Sequence, residues 1–196
     1  MLLTKVLGKP HVNRIQWLYR RTKVTVTKVE PSPEATIKRP TPILLVRVVL
    51  NGIDAKPWAR CWQSRMSQLG YSSVDAAIDV ESTDHSLSKY YEELSQVTAE
   101  LSFFPPLMIS HGMLAWRISQ KYVSNKPLSG LVMIGNEEQD ATVDLSVYPD
   151  DTFEPHFPIY MISRQAPPEF LEGWIDYDLP KNESDQVIAW MNDIGM

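Results

Sequence analysis

Cysteine is nearly missing from this chain: Cys61 is the only one in 196 residues. That excludes an intramolecular disulfide and any zinc site built from several thiolates, and it suits a reducing compartment. Long apolar runs are missing too. A membrane-spanning helix needs roughly 20 such residues, whereas the longest runs here, residues 43–50 (ILLVRVVL) and 128–134 (LSGLVMI), have the length of strands. A soluble protein without a transmembrane segment is expected. Histidine is scarce, with four in the chain and none after His156. Acidic residues are wholly absent from the first 29 positions, which carry Lys5, Lys9, Arg14, Arg20, Arg21, Lys23 and Lys28. Those seven leave twelve Lys and Arg against twenty-four Asp and Glu in the remainder, so a head of +7 precedes a body of −12.

What is present in the head is helical spacing: Val12, Ile15, Leu18 and Tyr19 share a stripe, with Arg14 and Arg20 elsewhere on the wheel. An Arg-rich, acid-free amphipathic segment is the pattern of a mitochondrial targeting helix, and the apolar core of a secretory signal is missing. A competing reading keeps the segment in the folded protein. The helix would pack on the domain, and residues 23–29 (KVTVTKV) alternate like a half-buried strand. The acidic body would repel phosphates, so no nucleic-acid partner is expected. A Pro-rich connector, residues 31–42 (PSPEATIKRPTP), cannot continue a helix or a central strand. It divides the chain into a basic arm, 1–40, and a domain, 41–196.

Within 41–196, short β-rich runs alternate with helical patterns, which predicts an α/β domain with a mostly parallel sheet covered on both faces. Strands are expected at 43–50, 73–80, 107–110, 128–134 and 157–163. Helices are expected at 58–69, stopped by Gly70, and at 90–101, 113–123 and 184–194. Residues 136–156 are acidic and aperiodic and are read as loop. Cys61 falls in a stripe with Trp58, Trp62, Met66 and Leu69, which implies packing rather than reactivity.

The most specific pattern is residues 105–134, PPLMISHGMLAWRISQKYVSNKPLSGLVMI, a strand that runs through Ser110-His111-Gly112-Met113 straight into a helix. This resembles the nucleophile elbow of the α/β-hydrolase superfamily, where a strained reversal lifts one side chain above the sheet. In that resemblance Gly112 stands where the nucleophile would be. Glycine has no side-chain oxygen, so the acyl-enzyme route is closed there. Val49-Leu50-Asn51-Gly52 resembles the strand-loop that helps form the oxyanion pocket, and a pocket of Asn51, Gly52, Gly112 and Met113 is implied. The resemblance covers residues 42–194 and implies a reduced hydrolase-like fold with little or no lid. The rest of a triad is missing: Arg164-Gln165-Ala166-Pro167-Pro168 replaces the turn that carries the acid, leaving Glu169 as the nearest substitute. The segment before the closing helix, residues 175–180 (IDYDLP), holds no histidine to act as general base.

Fallback catalytic candidates are Ser110 as a displaced nucleophile with His85 or His156 as base. Neighbouring side chains on a strand point to opposite faces, so Ser110 and His111 should not meet. Asp79, Glu81, Asp84 and His85 cluster as metal-ligand types, but their spacing fits no loop signature and a solvated turn is favoured. No metal and no cofactor are expected. Three functions follow: a non-catalytic binding or assembly component with a protein partner, which is favoured; a divergent esterase or thioesterase; and a small-molecule receptor.

Overall fold

Five parallel pairings in a row build the centre of the molecule, and every strand in them except the last is almost wholly buried. The computed structural model describes residues 24–50, 52–80, 86–99 and 104–196. In chain order its elements are β1 (Val24–Val29), β2 (Ile43–Leu50), β3 (Ile53–Asp54), α1 (Lys56–Gln68), β4 (Ser73–Asp79), α2 (Leu87–Ala99), β5 (Leu107–His111) and α3 (Met113–Val123). They continue with β6 (Gly130–Ile134), a one-turn helix α4 (Glu137–Asp140), β7 (Ile159–Ile162), β8 (Asp176–Asp178) and α5 (Glu183–Asp193). The eight-stranded sheet has the order β1-β4-β2-β5-β6-β7-β8, with β3 paired to β2. All pairings from β4 to β8 are parallel; β1 on β4 and β3 on β2 are antiparallel. This is the mostly parallel α/β architecture that the sequence predicts.

The period-2 alternation of the strands separates two cores. Leu44, Val46 and Val48 of β2, with Met108 and Met133, face α2 and α3, where they meet Tyr90, Leu94, Trp116 and Ile118. Ile43 and Leu45, with Leu107, Ile109, Val132 and Ile162, face α1 and α5, where they meet Trp62, Met66, Val187 and Met191. Burying each such side chain contributes about 1.5–3 kcal/mol. A sheet covered on both faces follows from apolar runs that do not alternate with polar residues.

Four features depart from the sequence reading. The sheet begins before the Pro-rich connector rather than at residue 41, as the competing reading of residues 23–29 has it: β1 registers along β4 from Val24 opposite Ile78 to Val29 opposite Ser73. The connector itself docks on the end of α1, with Ser32 N–H donating to Ser67 O and Arg39 N–H to Gly70 O, both at 2.9 Å. Gly70 is required at that contact, because its φ is +88° and a Cβ would sit 1.7 Å from the Ile37 carbonyl oxygen. Cys61 is exposed, so the stripe on α1 is instead Ala59, Trp62, Gln63 and Met66. Residues 136–156 are not all loop, since α4 and a 3-10 turn (Leu145–Val147) lie within them. Their acids are also engaged: Asp150 pairs with Arg117, Asp151 with Lys121 and Glu137 with Arg164. Finally, β8 carries no apolar residue pattern, and its Asp-Tyr-Asp is exposed throughout. No helix among the described residues is long and apolar enough to cross a membrane.

A charged pair, Arg47 and Asp75, lies buried on the sheet. Arg47, only 4 % exposed, makes a two-pronged contact with Asp75 (Nε to Oδ1 2.8 Å, Nη2 to Oδ2 3.0 Å) and also pairs with Asp54 on β3. Removing one partner of such a pair strands the other charge in a low-dielectric interior. Arg47→Met should therefore lower unfolding stability by about 3–5 kcal/mol, measured as a fall in urea midpoint with an unchanged slope.

Candidate functional site at the reversal between β5 and α3

The chain reverses at a single residue. β5 ends at His111, α3 begins at Met113, and Gly112 between them has φ 88° and ψ 157°, a conformation open essentially to glycine alone. Gly112 N–H donates to the Ile134 carbonyl of β6 at 2.8 Å, and its own carbonyl accepts from Trp116 N–H, the first intrahelical bond of α3. Glycine leaves the helix without a side-chain cap. The orphan N–H of Met113 is instead satisfied from the loop after β6: it donates to Asp140 Oδ1 at 2.6 Å.

Asp140 is held in place by α4. Asn136 caps that turn, its side chain accepting from Gln139 N–H at 3.3 Å, and Asn136 N–H donates to Asp140 Oδ2 at 2.9 Å. Gln139 is buried, and its amide donates to the Val48 carbonyl on β2 at 2.9 Å. Together they fill the space above the reversal. A Cβ on Gly112 would lie 2.8 Å from Gln139 Oε1 and 3.3 Å from Asp140 Oδ1. Burial pushes the Asp140 carboxyl above its usual range, and the two backbone donors pull it back. The positive end of α3 favours the charged form as well.

The residues flanking Gly112 turn away from each other. Ser110 is fully buried, faces α3 and shares a 2.7 Å hydrogen bond with Ser119 Oγ. His111 faces α1 and stacks on Trp58, with ring centroids 4.3 Å apart and planes 17° from parallel. Its Nδ1 is buried without a hydrogen-bond partner. Burial, and then the charge of Arg47, lower the imidazole pKa to about 4, so the ring is neutral at physiological pH. Among the described residues no imidazole is hydrogen-bonded to Ser110.

Other sequence candidates are scattered. Gly52 and Asp79 are exposed, Glu169 lies in a 3-10 turn (Glu169–Leu171), and His156 is exposed beside Glu154. Asn51, Glu81, Asp84 and His85 lie outside the described residues, as does the proposed targeting helix. Among the described residues no group of three or more His, Cys, Asp or Glu could hold a metal ion. The residues that sequence reasoning missed are Gln139 and Asp140. A signal for them exists in Asn136-Glu137-Glu138-Gln139, an Asn cap followed three positions later by Gln. Beside the reversal lies an open cleft of about 530 Å³, lined by His111, Asp140, Ser163, Arg164 and Glu183 among others. A smaller cavity of about 160 Å³ lies between Met113, Trp116, Arg117 and Asp150.

Solved structures with this arrangement of sheet and helices include mouse alpha/beta hydrolase domain-containing protein 10 (TM-score 0.55, 10 % identity, covering 90 % of this chain and 96 % of that one). A Bacillus megaterium epoxide hydrolase in complex with an inhibitor matches at TM-score 0.54 and 10 % identity, over 87 % of this chain and 96 % of that one. The chain has an α/β-hydrolase-like fold. An S-formylglutathione hydrolase from Agrobacterium tumefaciens matches at TM-score 0.52 and 14 % identity, over 88 % and 90 % of the two chains. No protein-family model and no curated protein sequence matches the chain. At these identities the likeness speaks for the hydrolase-like fold and not for an activity.

The buried imidazole has a measurable consequence. An unfolded histidine takes a proton near 6.5 and folded His111 only near 4, so between those values the unfolded state holds the extra proton. This contribution to stability is complete above pH 6.5 and falls away as pH drops towards 4, by about 3 kcal/mol in all. Asp140 and Glu183, whose carboxyls burial raises, have the opposite sign and gain from acidification. Urea titrations at pH 7 and pH 5 should therefore show a steeper acid loss in the native sequence than in His111→Phe, which keeps the stack on Trp58 without the titration.

Proposed function

We propose that this chain is a non-catalytic α/β-hydrolase-like protein that acts as a binding or assembly component. One observation carries the reading: the tip of the strand-to-helix reversal is Gly112, with only hydrogen where an attacking oxygen would stand, and the Met113 N–H beside it is engaged by Asp140. In serine hydrolases of this fold the residue after the nucleophile supplies an N–H to the oxyanion. Here a carboxylate already occupies the corresponding donor. Two of the structural neighbours are named as hydrolases, one for epoxides and one for S-formylglutathione, and their fold alone does not carry chemistry over to a site without a nucleophile.

The esterase reading has little support in the geometry. Ser110 is buried against Ser119, and its neighbour His111 faces the other side of the sheet. The receptor reading is favoured by a specific feature, the open cleft beside the reversal. For the N-terminus we keep the proposal of a mitochondrial targeting segment, resting on the acid-free, Arg-containing stripe of residues 11–20. Residues 1–40 fused to a fluorescent protein should direct it to mitochondria, and a cytosolic signal would defeat that assignment.

The protein should neither take up a fluorophosphonate probe nor hydrolyse p-nitrophenyl acetate above background. Labelling that disappears in Ser110→Ala would overturn the non-catalytic reading. Gly112→Ser should restore no turnover. It should instead cost about 1–3 kcal/mol of stability, because a Cβ at this φ is strained and meets Gln139 Oε1. A fully stable Gly112→Ser protein with esterase activity would show that the reversal is misassigned.

A further inference from the structure

The cleft beside the reversal is unusual in what its charged walls lack. Arg164 and Glu137 neutralise each other at the rim with a 2.8 Å contact. Asp140 and Glu183 remain, and neither forms an ion pair among the described residues. Asp140 accepts two backbone N–H groups, which leaves lone pairs on a carboxylate that has four acceptor positions. Glu183 stands in the first turn of α5, half-buried, and burial raises its carboxyl above the ordinary range. The third wall is His111, 9 % exposed, with an Nδ1 that meets no partner. A neutral imidazole always carries one acceptor lone pair. The lining thus carries three carboxylates, Glu137, Asp140 and Glu183, against the one guanidinium of Arg164, which is paired with Glu137.

We propose that this cleft is a binding site for a small organic ammonium ligand, a primary amine or diamine, held between the carboxylates of Asp140 and Glu183 against the His111 ring. Such a ligand brings a positive charge and charged N–H donors to two partly desolvated carboxylates that have no cation of their own. An anionic ligand meets the opposite situation, since Asp140 already holds the Met113 N–H that would otherwise greet it. A space of about 530 Å³ falls within the range of small-molecule sites. The assignment rests on the reading that the site binds without chemistry, and it adds the ligand class to that reading.

Thermal unfolding of the full chain with putrescine, benzylamine, acetate and inorganic phosphate tests it directly. Putrescine and benzylamine should raise Tm saturably, and the two anions should not. Glu183→Gln keeps the shape of the side chain and, with each shift read against the variant's own unliganded Tm, should weaken amine binding about tenfold. Asp140→Asn combined with Glu183→Gln should abolish the shift. Absence of a saturable amine shift, an equal shift by acetate, or undiminished amine binding in Glu183→Gln would overturn the ligand assignment. NMR spectra of the recovered amine separate the two readings. Unchanged amine supports both, whereas chemical conversion would sustain the amine site and defeat the non-catalytic reading.

Discussion

The N-terminal amides of α3 need an acceptor, and the way this chain meets that need shapes everything around the reversal. A serine, threonine or aspartate at the cap would have offered a side-chain acceptor to the first turn of α3. Gly112 offers none, and the Met113 N–H finds its acceptor 27 positions downstream, in Asp140. That single bond ties the end of β5 to the turn after β6. Gln139 extends the tie to β2 through the Val48 carbonyl, and Gly112 N–H closes it onto Ile134. Three neighbouring strands are thereby locked together at one edge of the sheet. The glycine is needed twice over, for a backbone conformation that a side chain resists and for the room that Gln139 and Asp140 occupy.

Much of the fold was legible because period and burial agree. The runs ILLVRVVL and GLVMI are apolar on both faces apart from Arg47, SVDAAID alternates around Val74, Ala76 and Ile78, and all three became central strands, while 113–123 is the helix its spacing describes. What was not legible depends on contacts between distant residues. β8 is Asp-Tyr-Asp, and it is a strand because β7 offers it a ladder and because Asp178 receives the Tyr160 hydroxyl and Asp176 the Trp190 indole N–H. β1 alternates visibly, yet the connector after it reads as a boundary. Only the docking of Ser32 and Arg39 on the end of α1 makes that connector part of the domain. For Cys61, a shift of about one position on the helical wheel separates the expected stripe from the one that is buried.

The candidate site divides in the same way. Gly112 could be singled out from local sequence, because a strand running into a helix through Ser-His-Gly-Met specifies a sharp turn. The opposed directions of Ser110 and His111 likewise follow from strand geometry. Asp140 could not be found by that route. Its role requires the path of the chain after β6, and in sequence it sits among Glu137, Glu138 and Asp144, where one acid looks like any other. The Asn136 cap fixes a turn there but does not reveal what the turn covers.

The electrostatics of that turn bear on chemistry as well as on stability. A donor in an oxyanion pocket is worth roughly 2.7–4 kcal/mol to an acyl-transfer transition state. With Asp140 charged and seated on the Met113 N–H, an oxyanion forming nearby would lose that donor and meet a like charge. At about 4 Å and an effective dielectric near 20, the repulsion is about 4 kcal/mol. Placing a hydroxyl on residue 112 changes neither quantity. A productive acyl-transfer site would require α4 to swing away, breaking the bonds to Met113 and Val48 together, so the arrangement that stabilises the reversal is the same one that opposes turnover. A cationic ligand reverses the sign of the argument: the carboxylate that repels an oxyanion attracts an ammonium, and it does so without disturbing either bond.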